Sequence, residues 1–303
     1  MKDPLKAVEL ISETLVRAAL RVAFKPAAKL PLSLPALRRG LDVSSKLFPV
    51  RGDAQVEMTE IAGCPVAIIK PKSATPQATI VHLHGGAFFA GSIKTHLGMA
   101  AEMAVRAEAT VVLPEYRLAP EHPFPAAIDD CQAVYDALMD QYVDPANTFI
   151  SGDSAGGGLA LSLAQRLRDD GGALPAGIVL ISPYLDLSLS GQTIQSKAKL
   201  DPMLSIDFLK RGGDAYRGEV ACADPLVSPL FGDLGGLPPM LIQCGTDEVL
   251  LDDTERLVDA LAQAGGVSTC TIYPRMWHDF QMFNLLIGTA DKALYEIADF
   301  VRR

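Results

Sequence analysis

The sequence has no run of about eighteen apolar residues, so no membrane-spanning helix is expected. It has no excess of basic charge: 27 Lys and Arg stand against 36 Asp and Glu, a formal net charge of −9. A nucleic-acid partner needs clustered cations to neutralise phosphates, so that class is set aside. Cysteine is scarce. Cys64, Cys131, Cys222, Cys244 and Cys270 are five, an odd number, with no C-x-x-C pair. That argues against a disulfide framework and a structural zinc, and for a reducing, cytoplasmic setting. The N-terminal stretch also lacks the clean apolar core of a secretion signal. Glu9, Glu13, Arg17 and Arg21 interrupt it every four residues. No internal repeat or low-complexity tract is visible.

What is present is an ordinary globular balance over 303 residues, 49% hydrophobic and 21% charged. Residues 5–24 predict an amphipathic helix, with Leu5, Val8, Leu15, Ala19, Val22 and Ala23 largely on one stripe and Glu13–Arg17 as an i,i+4 pair. Pro26, Pro31 and Pro35 then predict an irregular link. Gln55–Ile61 and Pro65–Lys70 predict a hairpin turning at Ala62-Gly63. Six short apolar runs follow: Ala78–Leu83, Thr110–Leu113, Phe149–Ser151, Ile178–Ser182, Met240–Cys244 and Thr269–Tyr273. They alternate with helical stretches, the βαβ rhythm of an α/β fold with a mostly parallel sheet. The long gap between the last two pairs of runs holds an insertion around residues 185–220, with a helical piece near Ser205–Tyr216.

Chemistry in such sheets gathers beyond the carboxyl ends of the strands. After Phe149-Ile150-Ser151 comes Gly152-Asp153-Ser154-Ala155-Gly156, a G-x-S-x-G between a strand and a helix. That spacing leaves room for a strained turn that raises the Ser154 hydroxyl above the sheet, so Ser154 is the candidate nucleophile. The plain alternative is a glycine-rich connection with Ser154 as a helix cap. A serine needs a base. Of His82, His84, His96, His122 and His278, only His278 follows Ser154 in the chain. The acid is expected after the penultimate strand, at Gly245-Thr246-Asp247-Glu248. Asp247, the first carboxylate, is the candidate, with Glu248, Asp252 and Asp253 as rivals. After Ala78–Leu83 comes His84-Gly85-Gly86-Ala87-Phe88. Gly85 and Gly86, with the N–H of Ala155, are the candidate oxyanion donors. His84 is expected to fix this loop, and His82 to be structural. No phosphate-loop spacing is present. Phe88, Tyr184, Met203 and Leu204 are candidate pocket residues, with ordinary packing as the equal alternative.

These residues, together with Glu115-Tyr116-Arg117-Leu118-Ala119-Pro120-Glu121 and Asp224-Pro225-Leu226-Val227-Ser228-Pro229, occur in an order that resembles the hormone-sensitive-lipase family of α/β-hydrolases, the bacterial family IV esterases with G-D-S-A-G at the nucleophile. The resemblance covers about residues 50–303. It implies an eight-stranded, mostly parallel sheet flanked by helices, with a helical cap from residues 1–50 and the insertion at about 185–220. Residues 51–303 would form the catalytic domain. It further implies hydrolysis of short- to medium-chain esters by Ser154, His278 and Asp247 through an acyl-enzyme, with no cofactor or metal, and a homodimer. Two departures stand out: H-G-G-A where many members have H-G-G-G, and Glu115 where Asp is usual. The same residues leave open an amidase or deacetylase, and a non-catalytic receptor on the same fold is disfavoured by His278.

Overall fold

In the computed structural model the described residues are 4–25, 33–141 and 143–303. Strands β1 (Ala54–Ile61) and β2 (Cys64–Pro71) form the expected hairpin. The six apolar runs become β3 (Ala78–Leu83), β4 (Ala109–Pro114), β5 (Thr148–Asp153), β6 (Gly177–Ile181), β7 (Met240–Gly245) and β8 (Ser268–Tyr273). The sheet order is β1-β2-β4-β3-β5-β6-β7-β8. The pairs β1–β2 and β2–β4 are antiparallel, and every later pair is parallel.

The central strands are apolar on both faces because helices cover both. Alternate residues feed two cores. Val81, Val112, Ile150, Ile178, Leu180, Met240 and Ile242 enter one; Ile80, Val111, Leu113, Phe149, Val179, Ile181 and Leu241 enter the other. The helices are α1 (Pro4–Ala19), α2 (Leu34–Ser44), α3 (Ile93–Ala107), α4 (Ala126–Asp140), α5 (Ala155–Asp169), α6 (Thr193–Ser196), α7 (Ile206–Arg217), α8 (Leu251–Gln263) and α9 (Gly288–Val301). Residues of α4, α5 and α8 pack in the first core, and those of α3 and α9 in the second. No helix among the described residues is long and apolar enough to cross a membrane.

Two local expectations shift. Pro35 opens α2 in its first turn, where a missing N–H costs nothing, instead of breaking the chain. Pro26 and Pro31 lie outside the described residues. The helix α1, which continues as a π-helix over Leu20–Phe24, turns its expected apolar stripe outward. Leu15 is 65% exposed and Val22 79%. Of the same stripe, the side chains of Leu5 and Val8 lie outside the described ones. Inward go Val16 and Leu20, and the cations of this segment bond to loop carbonyls. Arg17 donates to the carbonyl of Arg275, Arg21 to that of Leu200 at 3.0 Å, and Lys25 to that of Ala198 at 2.7 Å. Charge-assisted bonds to loop carbonyls decide the helix's rotation, against its hydrophobic pattern.

Candidate active site

The elbow after β5 is built on steric necessity. Ser154 sits at φ 52° and ψ −119°, outside the helical and extended regions. A Cβ at Gly152 would meet the carbonyl of Gly156, and one at Gly156 the carbonyl of Leu83. Both glycines are therefore required for β5, α5 and the end of β3 to approach so closely. Ser154 N–H donates to Ile181 at 2.8 Å, and its carbonyl accepts from Tyr184 N–H at 2.9 Å. The hydroxyl thus stands at the N-terminus of α5 on a fixed backbone.

Facing it is His278, beyond β8. Its Nε2 lies 2.9 Å from Ser154 Oγ. Its Nδ1 lies 3.1 Å from a carboxylate oxygen, and that oxygen belongs to Glu248, not Asp247. This corrects the sequence reading. The turn after β7 points the two acids in opposite directions. Glu248 is fully buried, its Oε1 accepting from Ser182 Oγ at 2.8 Å and from Gly245 N–H, its Oε2 facing the imidazole. Asp247 faces out and pairs with Arg17 of α1 at 2.9 Å. Alternation along a strand does not extend into a turn, and the cation that claims Asp247 lies far away in sequence. The other two rivals serve the insertion. Asp252 accepts from Gln192 N–H, and Asp253 from the N–H groups of Leu185 and Asp186. Burial raises Asp253 to about 7.

The second correction concerns the oxyanion donors. Gly85 N–H is already bound to Asp153 Oδ2 at 3.0 Å. Among the described residues no partner is found for the N–H of Gly86 or of Ala87, and Ala155 opens α5 with a free first-turn N–H. The free donors near the elbow are thus Gly86, Ala87 and Ala155. Gly86 is at φ +124°, where a Cβ would collide with the carbonyl of Ala90. Ala87 and Phe88 hold left-handed φ values of 51° and 63°. Ala87 thus fills, at some strain, a position suited to glycine.

Behind this loop lies a buried polar cluster that spacing alone did not reveal. Asp153 Oδ2 is 3.1 Å from His96 Nε2, and its Oδ1 is 3.2 Å from His82 Nε2. Burial opposes the charge on Asp153, but His96 and His82 outweigh it and hold the carboxyl below its usual range. Burial also opposes the charge on His96, and Asp153 raises it nonetheless. His84 stacks on Tyr116 at 4.2 Å, and Tyr116 donates to the His84 carbonyl. Burial, then the charge of His96, pushes His84 down to about 3, so it stays neutral. Its stacking and its carbonyl's bond to Tyr116 order the loop.

The four candidate pocket residues are all packed. Phe88 stacks face to face on Tyr216 of α7 at 4.0 Å, and Tyr184 is wholly buried. Leu204 lies in the main core, and Met203 packs near Trp277 and Leu20. The insertion closes over the site at Gly212, where a Cβ would collide with the carbonyl of Ala87. Ser154 and His278 are left 3% and 2% exposed.

Residues 80–282 match the model of a family described by its alpha/beta hydrolase fold. The chain is 41% identical over 290 residues to an esterase of Acinetobacter venetianus, covering 95% of this chain and 94% of that one. It is 34% identical to an acetyl-hydrolase of Streptomyces hygroscopicus, covering 88% of each. Its fold superimposes on an esterase from the bacterial hormone-sensitive lipase family with a TM-score of 0.92 at 32% identity, over 100% of this chain and 98% of that one. The chain belongs to the bacterial hormone-sensitive-lipase branch of the α/β-hydrolase family. A crystal structure of EstE5 soaked with p-nitrophenyl butyrate matches at a TM-score of 0.91 and 35% identity, over 96% of this chain and 97% of that one. The eight-stranded sheet, the elbow after β5 and the histidine beyond the last strand are what this α/β-hydrolase uses to bring distant residues to one rim.

Proposed function

We propose that this α/β-hydrolase is a serine carboxylesterase acting on short- to medium-chain acyl esters of small molecules, with Ser154 as nucleophile, His278 as base and Glu248 as the orienting acid. One observation supports this above all: the continuous line from Ser154 Oγ to His278 Nε2, and from His278 Nδ1 to Glu248 Oε2. Glu248 accepts from Nδ1–H, which leaves the Nε2 lone pair toward the serine. Ser154 attacks the ester carbonyl and its proton passes to Nε2. The tetrahedral oxyanion accepts from the N–H groups of Gly86, Ala87 and Ala155. Nε2 then returns the proton to the leaving alcohol, and an acyl-enzyme remains. Water loses a proton to the same nitrogen, attacks the acyl carbon, and frees the acid and Ser154.

The close seat of Gly212 over Ala87 favours compact acyl groups. A series of p-nitrophenyl esters from acetate to laurate tests this, with Ser154→Ala as the blank. Turnover is expected to peak at or below the middle of the series and to fall by about 10⁵–10⁶ in the blank. Matched anilides, expected to react far more slowly, test ester against amide. A homodimer through β8, which has a neighbour on one side only, is the accompanying proposal. Light scattering on a size-exclusion column measures it.

A further inference from the structure

His278 Nε2 has a second close neighbour besides the serine. Asp279 Oδ2 lies 3.1 Å from it, against 2.9 Å for Ser154 Oγ. The imidazole is therefore flanked by two carboxylates, Glu248 at Nδ1 and Asp279 at Nε2. The chemistry described above uses only the first. Asp279 is not placed there by a loose rotamer. Its backbone is left-handed, at φ 51°, and its N–H donates to Ser182 Oγ, the same hydroxyl that holds Glu248. Its side chain is buried, and its Oδ1 has no hydrogen-bond partner among the described residues. An unpartnered buried carboxylate oxygen costs free energy. Here the carboxylate stands beside the one atom that must give up and take the reaction's proton.

Resting on the assignment of His278 as the base, we propose that Asp279 is a positioning residue whose carboxylate competes with Ser154 for His278 Nε2 and so sets the pH above which the serine can be deprotonated. An imidazole carrying protons on both nitrogens, one toward each carboxylate, cannot accept the serine proton. The proton on Nε2 must leave first, and a neighbouring anion holds it there. Burial works against charge on His278, but Asp279 and Glu248 outweigh it and keep the imidazole well above its ordinary value. Burial raises Asp279 itself to about 6, with His278 opposing, so Asp279 is ionised above that. That is the range in which a free imidazolium would discharge. The other groups facing the pair are Asp201, whose charge acts on His278, and Asp153 with His96, which act on Asp279. Asp201 is tied to the N–H groups of Met203, Leu204 and Val249. Asp153 is tied to Gly85 and His96. Neither approaches Nε2 as Asp279 does.

The experiment compares wild type and Asp279→Asn by pH profile. Two readouts are used: kcat/KM on p-nitrophenyl butyrate, and the rate of Ser154 labelling by a fluorophosphonate. Asn keeps the shape and removes the charge. Removing an anion lowers the pKa of a neighbouring base, so the acid limb moves to lower pH. A shift of about one unit is expected, a tenfold gain below the limb relative to each enzyme's own plateau. A limb that stays in place, or moves up, overturns the proposal even if the plateau falls. The His278 ring protons followed by NMR across pH 5–9 in wild type and Asp279→Asn give a second test. An imidazolium that persists to higher pH in the wild type supports the role of Asp279, and the same titration in both proteins overturns it. Absence of labelling at every pH in the wild type refutes the serine mechanism itself, and this proposal with it. Labelling with an unmoved limb refutes the proposal alone.

Discussion

Arg17 and Asp247 meet at 2.9 Å, and this pair joins the N-terminal helix to the turn that carries Glu248, the neighbour of His278. The Arg17 guanidinium also lies over the Trp277 ring, 5.1 Å from its centroid, and reaches the Arg275 carbonyl. One side chain thus touches the loop of Glu248 and the loop of His278 together. Glu13, one turn earlier, lies 3.9 Å from Arg275.

Loosening this clasp has a measurable cost. Arg17→Ala removes a mostly buried ion pair, a cation–π contact and two bonds to backbone carbonyls. It is expected to cost about 1–3 kcal/mol. For a chain of this size that lowers Tm by several degrees, roughly 2–4 °C for each kcal/mol. Scanning calorimetry checks it, and an unchanged Tm would show that α1 is held by its other contacts.

The assignment of the acid separates two neighbours. Glu248→Gln keeps the shape but lets the imidazole take the wrong tautomer, and kcat is expected to fall by about 10³–10⁴. Asp247→Asn breaks only the Arg17 pair, and kcat is expected to stay within about tenfold of wild type. Steady-state kinetics on p-nitrophenyl butyrate settles the order. If Asp247→Asn proves the more damaging change, the acid has been misassigned.

The buried Asp153–His96 pair predicts a pH dependence of stability. Asp153 has a depressed folded pKa. Its contribution is full above about 3.9, the ordinary value, and is lost as pH falls through the folded one. His96 has a raised folded pKa. Its contribution is full below about 6.5 and is lost as pH rises through the folded one. His96→Gln should therefore lower Tm most on the acid side of neutrality and flatten the alkaline decline. Melting curves from pH 5 to 9 read this directly. A parallel downward shift at all pH values would mean that His96 contributes packing and not charge.

Gly156 is the most constrained residue of the elbow. A methyl there would overlap the Leu83 carbonyl, which is backbone and has nowhere to go. Gly156→Ala is expected to cost about 3 kcal/mol or more and to leave little folded, active protein. Gly171, at φ +69° with open space around its missing Cβ, makes a control with strain but no collision. Gly171→Ala should cost about 1 kcal/mol or so. Chemical denaturation of the two variants side by side separates collision from strain.

The sheet, the elbow and the pairing of Ser154 with His278 are legible in the amino-acid order alone. Those follow from local rules: apolar runs that must be buried on both faces, glycines two either side of a serine, and a single histidine downstream. The sequence does not decide the surroundings of Gly85, Asp247 and the apolar stripe of α1, because each is settled by a partner distant in the chain. Asp153 takes the Gly85 N–H, Arg17 takes Asp247, and the carbonyls of Arg275, Leu200 and Ala198 take Arg17, Arg21 and Lys25. The same holds for Asp279, which in sequence is only a residue beside the base. A hydrogen-bond donor, a carboxylate or a helix face goes to its best available partner. Which partner is available is fixed only when the sheet closes and the N-terminal helix and the insertion pack against it.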